Sequence, residues 1–106
     1  MEQIPTEDLK LLAEAIYDDD DITVDGNRIL IEVRSRDRWK VIEWNPANSA
    51  DQCSMVLEWF KIETGRDWDT DEWVAGIRVA DQYFEFGIHK DFKTAVTLAA
   101  IEYCKQ

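Results

Sequence analysis

The chain has 106 residues, with 12 basic and 23 acidic side chains and a formal charge of −11. Its length, well under ~150 residues, predicts one domain spanning residues 1–106 with a core that needs no staples. Five Trp, three Tyr and four Phe exclude a disordered chain, and the absence of a long apolar run or a basic-then-apolar leader predicts a soluble, cytoplasmic protein with no membrane partner.

Residues 6–17 read as a helix. Thr6 is placed to cap it, Glu7 and Asp8 lie in the first turn, and Leu9, Leu12, Ala13 and Ile16 form a core-facing stripe. The acidic run Asp18–Asp21 ends it. A brief strand at 22–24 precedes the turn signal Asp25-Gly26 and a hairpin pairing 28–34 with 38–44. In its first strand Ile29, Ile31 and Val33 share the buried face. In the second, either Trp39 and Val41 or, in the other register, Ile42 and Trp44 answer them.

Asn45-Pro46 stops that strand, and Asn48 or Ser49 caps a helix over 49–64 that ends at Gly65. Its stripe is Cys53, Val56, Leu57 and Phe60, with Met55 and Trp59 on a flank. Residues 66–71 read as an acidic loop, followed by a hairpin of Glu72–Ala80 with Tyr83–His89. Asp91 caps a last helix over 92–104, whose inner face is Ala95, Val96, Ala99, Ala100, Tyr103 and Cys104. The order α-β-β-α-β-β-α predicts an α+β fold: one antiparallel sheet of four to five strands layered with three helices.

Charge is distributed unevenly. Arg34, Arg36 and Arg38, with Arg28 and Lys40, make the 28–44 hairpin basic. Acid gathers at Asp18, Asp19, Asp20 and Asp21 and again at Asp67, Asp69, Asp71 and Glu72. Phosphate backbones are bound by Lys and Arg, so no direct nucleic-acid partner is expected; a protein with a basic surface is. Trp68 and Trp73 sit within the second acidic stretch and Trp59 on the helix flank. Trp is favoured at binding hot spots, so two exposed indoles flanked by Asp would mark this surface as an interface.

Two segments carry a resemblance. Trp44-Asn45-Pro46-Ala47-Asn48-Ser49-Ala50-Asp51, running on to Val56-Leu57-Glu58, and Lys93-Thr94-Ala95-Val96-Thr97-Leu98-Ala99-Ala100-Ile101-Glu102-Tyr103-Cys104 resemble the capping turn and Ala-rich closing helix of the phage ABA sandwich domain family. The helix at 8–17 sits where that family places its first helix. Ala47, the Asp51-Gln52 pair and Glu102 depart from the family pattern. The resemblance implies a layered domain of phage origin acting in a bacterial cell, and no catalytic residues.

Chemistry is sparse. Asp21-x-Thr23-x-Asp25-Gly26-x5-Glu32 has part of a Ca²⁺-loop spacing, but Arg28 occupies an apolar position and strand follows instead of helix. Asp67-x-Asp69-x-Asp71 is a second partial match. His89 is the only histidine and has no nucleophile in triad-like company. Cys53 and Cys104 read as core thiols, with a bridge between them left open. We therefore expect no enzyme, cofactor or metal. The leading function is a phage accessory protein that inhibits a host-defence protein of CRISPR or restriction type by acidic DNA mimicry. The alternatives are a structural protein acting through a homodimer, and a phosphate-ligand binder using Arg34, Arg36 or Arg38.

Overall fold

Leu9, Leu12 and Ala13 recur at helical spacing and are all buried, and the helix they define runs over Thr6–Ile16 (α1). The computed structural model describes residues 4–106. The described residues form an α+β protein with three α-helices and two three-stranded antiparallel sheets. It divides into two compact units, the first ending at Asn45 and the second beginning at Pro46. No helix among the described residues is long and apolar enough to cross a membrane.

In the first unit α1 is followed by a 3-10 turn at Asp19–Asp21 and by β1 (Ile22–Asp25), β2 (Arg28–Ser35) and β3 (Arg38–Glu43), in the order β1-β2-β3. Thr6 is not the cap. Pro5 holds that place, its carbonyl accepting from the amides of Asp8 and Leu9, and the Thr6 hydroxyl donates to the Asn27 carbonyl at 3.2 Å. The two-residue turn Arg36–Asp37 pairs Ile31 with Ile42 and Arg34 with Trp39. That register puts Ile42 and Trp44 on the face of Ile29 and Ile31, and turns Trp39 and Val41 outward. Trp44 extends the ladder, donating its amide to the Ile29 carbonyl at 2.7 Å, and its buried ring meets Tyr17 edge-on at 5.6 Å.

In the second unit Ser49 caps α2 (Ala50–Phe60) by accepting from the Gln52 amide at 3.3 Å. The helix stops at Lys61, which adopts a left-handed conformation, and not at Gly65. Ile62–Asp67 forms β4, which pairs with β5 (Glu72–Val79), which pairs in turn with β6 (Gln82–His89). The helix over 49–64 and the loop over 66–71 are corrected accordingly: Ile62 pairs with Ile77 and is buried, and this long-range contact outweighs the local helical pattern. With β4 as a third strand, tight turns join neighbours in each unit, and the single sheet of four to five strands gives way to two meanders.

The closing helix α3 (Phe92–Cys104) packs on α2 and on all three strands of its sheet. Ala95, Val96, Thr97, Ala99, Ala100 and Ile101 are buried, so nearly its whole circumference is covered. The Thr97 hydroxyl donates to the Lys93 carbonyl at 2.7 Å, which makes its burial tolerable. Tyr103, expected inside, is exposed and meets Phe60 edge-on at 5.8 Å, while Cys104 is half-buried. Small residues let helix and sheet approach closely. A Cβ on Gly87 would fall 2.1 Å from the Ala95 carbonyl oxygen and 2.8 Å from the Ala99 nitrogen.

Candidate functional site

Side chains alternate across β4, so Glu63, Gly65 and Asp67 share the face of the second sheet turned away from α3. The registers extend each position into a row. Gly65 pairs with Val74 and Val74 with Ile88, Glu63 pairs with Gly76 and Gly76 with Glu85, and Asp67 pairs with Glu72. Of these, Glu63, Gly65, Asp67, Val74, Glu85 and Ile88, together with Thr64, Arg66, Trp68, Asp69, Arg78 and Tyr83, line an open groove of about 710 Å³. Its floor is low at Gly65. A Cβ on Gly65 would meet nothing within 4 Å, whereas Gly76 is covered by the Tyr83 ring, 2.6 Å from where its Cβ would stand.

The acidic segment Asp67–Trp73 is the β4–β5 hairpin and not a free loop. Asp67 Oδ1 accepts from the Asp69 amide at 3.0 Å, and Asp71 takes a left-handed conformation. Arg66 forms an ion pair with Asp71, and its guanidinium carbon lies 5.5 Å from the Trp68 ring centre and 5.1 Å from that of Trp73. Trp73 is half-buried and meets Phe92 edge-on at 5.1 Å, so it supports the hairpin from beneath. Trp68 is 82 % exposed. The result is an indole held out to solvent by a cation–π contact, in a hairpin that also carries Asp67, Asp69 and Asp71.

At the other end of the groove Arg78 pairs with Glu63, its Nε 3.2 Å from Oε2. Burial, then the carboxylates of Glu85 and Glu63, push the Tyr83 hydroxyl above its ordinary pKa, while Arg78 pulls the other way. Both guanidiniums of the lining are thus committed to carboxylates, and Asp67, Asp69 and Glu85 leave the groove net negative.

The remaining sequence-predicted residues are placed elsewhere. Trp59 lies on α2 and is 56 % exposed. Asp18, Asp19 and Asp20 are exposed and Asp21 half-buried, in and before the 3-10 turn of the first unit. Arg34, Arg36 and Arg38 are exposed at the tip of the β2–β3 hairpin beside Trp39, which is 63 % exposed. The partial Ca²⁺-loop string runs through the β1–β2 hairpin, where Asp25 pairs with Arg28 at 2.9 Å. Among the described residues no group of three or more His, Cys, Asp or Glu could hold a metal ion. His89 Nδ1 accepts from the Asp91 amide at 2.9 Å. Cys53 and Cys104 are free thiols, and burial raises the pKa of each, for Cys53 against an opposing pull from Lys93.

Glu63, Gly65, Val74, Tyr83, Glu85 and Ile88 were not singled out by sequence. Reading 62–67 as a strand, from the alternation Ile62, Thr64 against Glu63, Gly65, would have exposed the β4 member of each row. No family model matches this chain, no curated protein matches it, and no solved structure matches it.

Proposed function

We propose that this chain is a small acidic binding module that docks on the basic surface of another protein. In its most concrete form it is a phage-encoded inhibitor that occupies the nucleic-acid-binding surface of a host-defence protein of CRISPR or restriction type. The observation that carries the reading is Trp68, 82 % exposed and in contact with Arg66, in the hairpin that carries Asp67, Asp69 and Asp71. A desolvating aromatic anchor inside a charged rim is the arrangement of an interface hot spot. The carboxylates steer a basic partner and stand in for phosphates, while the excess acid, Asp18–Asp21 included, accelerates encounter. The resemblance to the phage ABA sandwich family supplies the phage setting.

The test is capture of partners from a bacterial host lysate on the wild-type protein and on the triple variant Asp67→Lys, Asp69→Lys, Asp71→Lys. We expect a basic nucleic-acid-binding protein retained by the wild type and lost from the variant. Equal retention by both would overturn the reading. Trp59 favours a second reading, self-association through the outer flank of α2, because 56 % of its surface is exposed. Light scattering that gives a dimer mass for the wild type and a monomer mass for Trp59→Ala would favour it.

A further inference from the structure

Along β4 the three rows of the groove are spaced like an extended chain, while a bulge at Ala75–Gly76 sets Glu85 three residues before Ile88 on β6. Glu63, Gly65 and Asp67 stand at alternate positions of one strand, so the outer rows lie ~13 Å apart, with the middle row halfway, at ~3.3 Å per residue. One outer row offers the Glu85 carboxylate and the Glu63–Arg78 pair on either side of Gly76, which the Tyr83 ring covers. The middle row, Gly65-Val74-Ile88, is uncharged and apolar, and Ile88 is 53 % exposed on it. The far row offers Asp67, beside Asp69 and the exposed Trp68 ring. Glu85 has no ion-pair partner among the described residues, and the Glu63–Arg78 pair is half-exposed and therefore weak.

We propose that this groove takes an extended segment of the partner protein bearing a Lys or Arg at each of two positions four residues apart, with an apolar residue midway between them. A β-extended segment lying along the strands repeats every second residue at the same rise, so its cations fall on the two acidic rows and its apolar side chain falls on Val74 and Ile88. Tyr83 and Trp68 add an aromatic face at each cation. Charge complementarity selects this occupant, because both groove arginines are already committed and the surplus is carboxylate. The proposal rests on the reading of the protein as a binder of basic surfaces and names the chemistry it recognises.

Two peptides of identical composition test it: acetyl-Ser-Lys-Thr-Val-Thr-Lys-Ser-amide and acetyl-Ser-Lys-Lys-Val-Thr-Thr-Ser-amide. They are titrated into the ¹⁵N-labelled protein and followed by amide and indole shifts. We expect the first to bind at least about fivefold more tightly, the worth of one cation placed against an aromatic and a carboxylate. The shifts should fall on Gly65, Trp68, Glu85 and Ile88. Gly65→Trp, which has open space for a side chain and removes no carboxylate, should abolish binding. Ile88→Ser, at an exposed position, should weaken it even if Gly65→Trp fails to fold. Equal affinity for the two peptides, or binding indifferent to both variants, overturns the groove assignment. Those results leave the acidic hairpin to its own charge-reversal test on the captured partner, so the two readings fail separately.

Discussion

Gly87 shows how one missing side chain sets the distance between α3 and its sheet. Its absent Cβ would overlap backbone atoms of Ala95 and Ala99, which cannot swing aside as a side chain can. Gly87→Ala should therefore displace the helix and cost about 1–3 kcal/mol, the usual range for overpacking, measured by urea unfolding. A loss under a few tenths would contradict the contact. Trp44 makes the opposite case. Its ring is buried, yet its indole N–H has no partner among the described residues. An unpaired buried donor costs about 1–3 kcal/mol, which offsets much of what the smaller ring forfeits, so Trp44→Phe should fall within about 1 kcal/mol of the wild type. Trp44→Ala, which leaves a cavity, should lose about 3–5 kcal/mol. Similar losses for the two variants would show that the N–H is satisfied.

At the scale of elements, caps decide where helices start, and those of α2 and α3 were legible where that of α1, Pro5 and not Thr6, was not. Ser49 and Asp91 occupy the places their residue types suggest. The Thr94 side-chain hydroxyl above all, with its amide and the charges of Lys93 and His89, holds the Asp91 carboxyl below the ordinary range against the opposing effect of burial. A depressed carboxylate contributes stability that is whole above its unfolded pKa of ~3.9 and is lost as pH falls through the lower folded value. Asp91→Ala should cost about 1 kcal/mol at neutral pH and close to nothing below that window, checked by denaturation at both pH values. An equal cost at both would mean that the cap acts without its charge.

Ends and partners of strands were less legible than caps. Gly65 reads locally as a helix stop, but the chain turns at Lys61, and only the distant Ile77 explains why Ile62 is in a strand. Either register of the 28–44 hairpin buries one alternating set. The choice of Ile42 and Trp44 over Trp39 and Val41 comes from the two-residue turn at Arg36–Asp37. The site followed the same division. Trp68 and its carboxylates were visible because composition marks them, whereas Tyr83, Glu85 and Ile88 join them only through strand pairing. Trp73, equally conspicuous in sequence, faces inward onto Phe92.

For the whole molecule, the formal charge of −11 is shared almost evenly by the two units. What differs is its arrangement. The first unit carries both the Asp18–Asp21 run and the arginines of the β2–β3 tip, and the second carries an acidic groove and hairpin whose own arginines are engaged. High negative charge alone confers solubility. On the proposed reading, a fixed indole next to carboxylates adds a docking site to it, for a partner that otherwise holds phosphate. The most direct test is competition on the captured partner: a labelled oligonucleotide bound to it is titrated with this protein at constant ionic strength. Displacement by the wild type, lost in Trp68→Ala and in the triple Asp67→Lys, Asp69→Lys, Asp71→Lys variant, is the predicted result. A ternary complex with the oligonucleotide still bound would contradict the account.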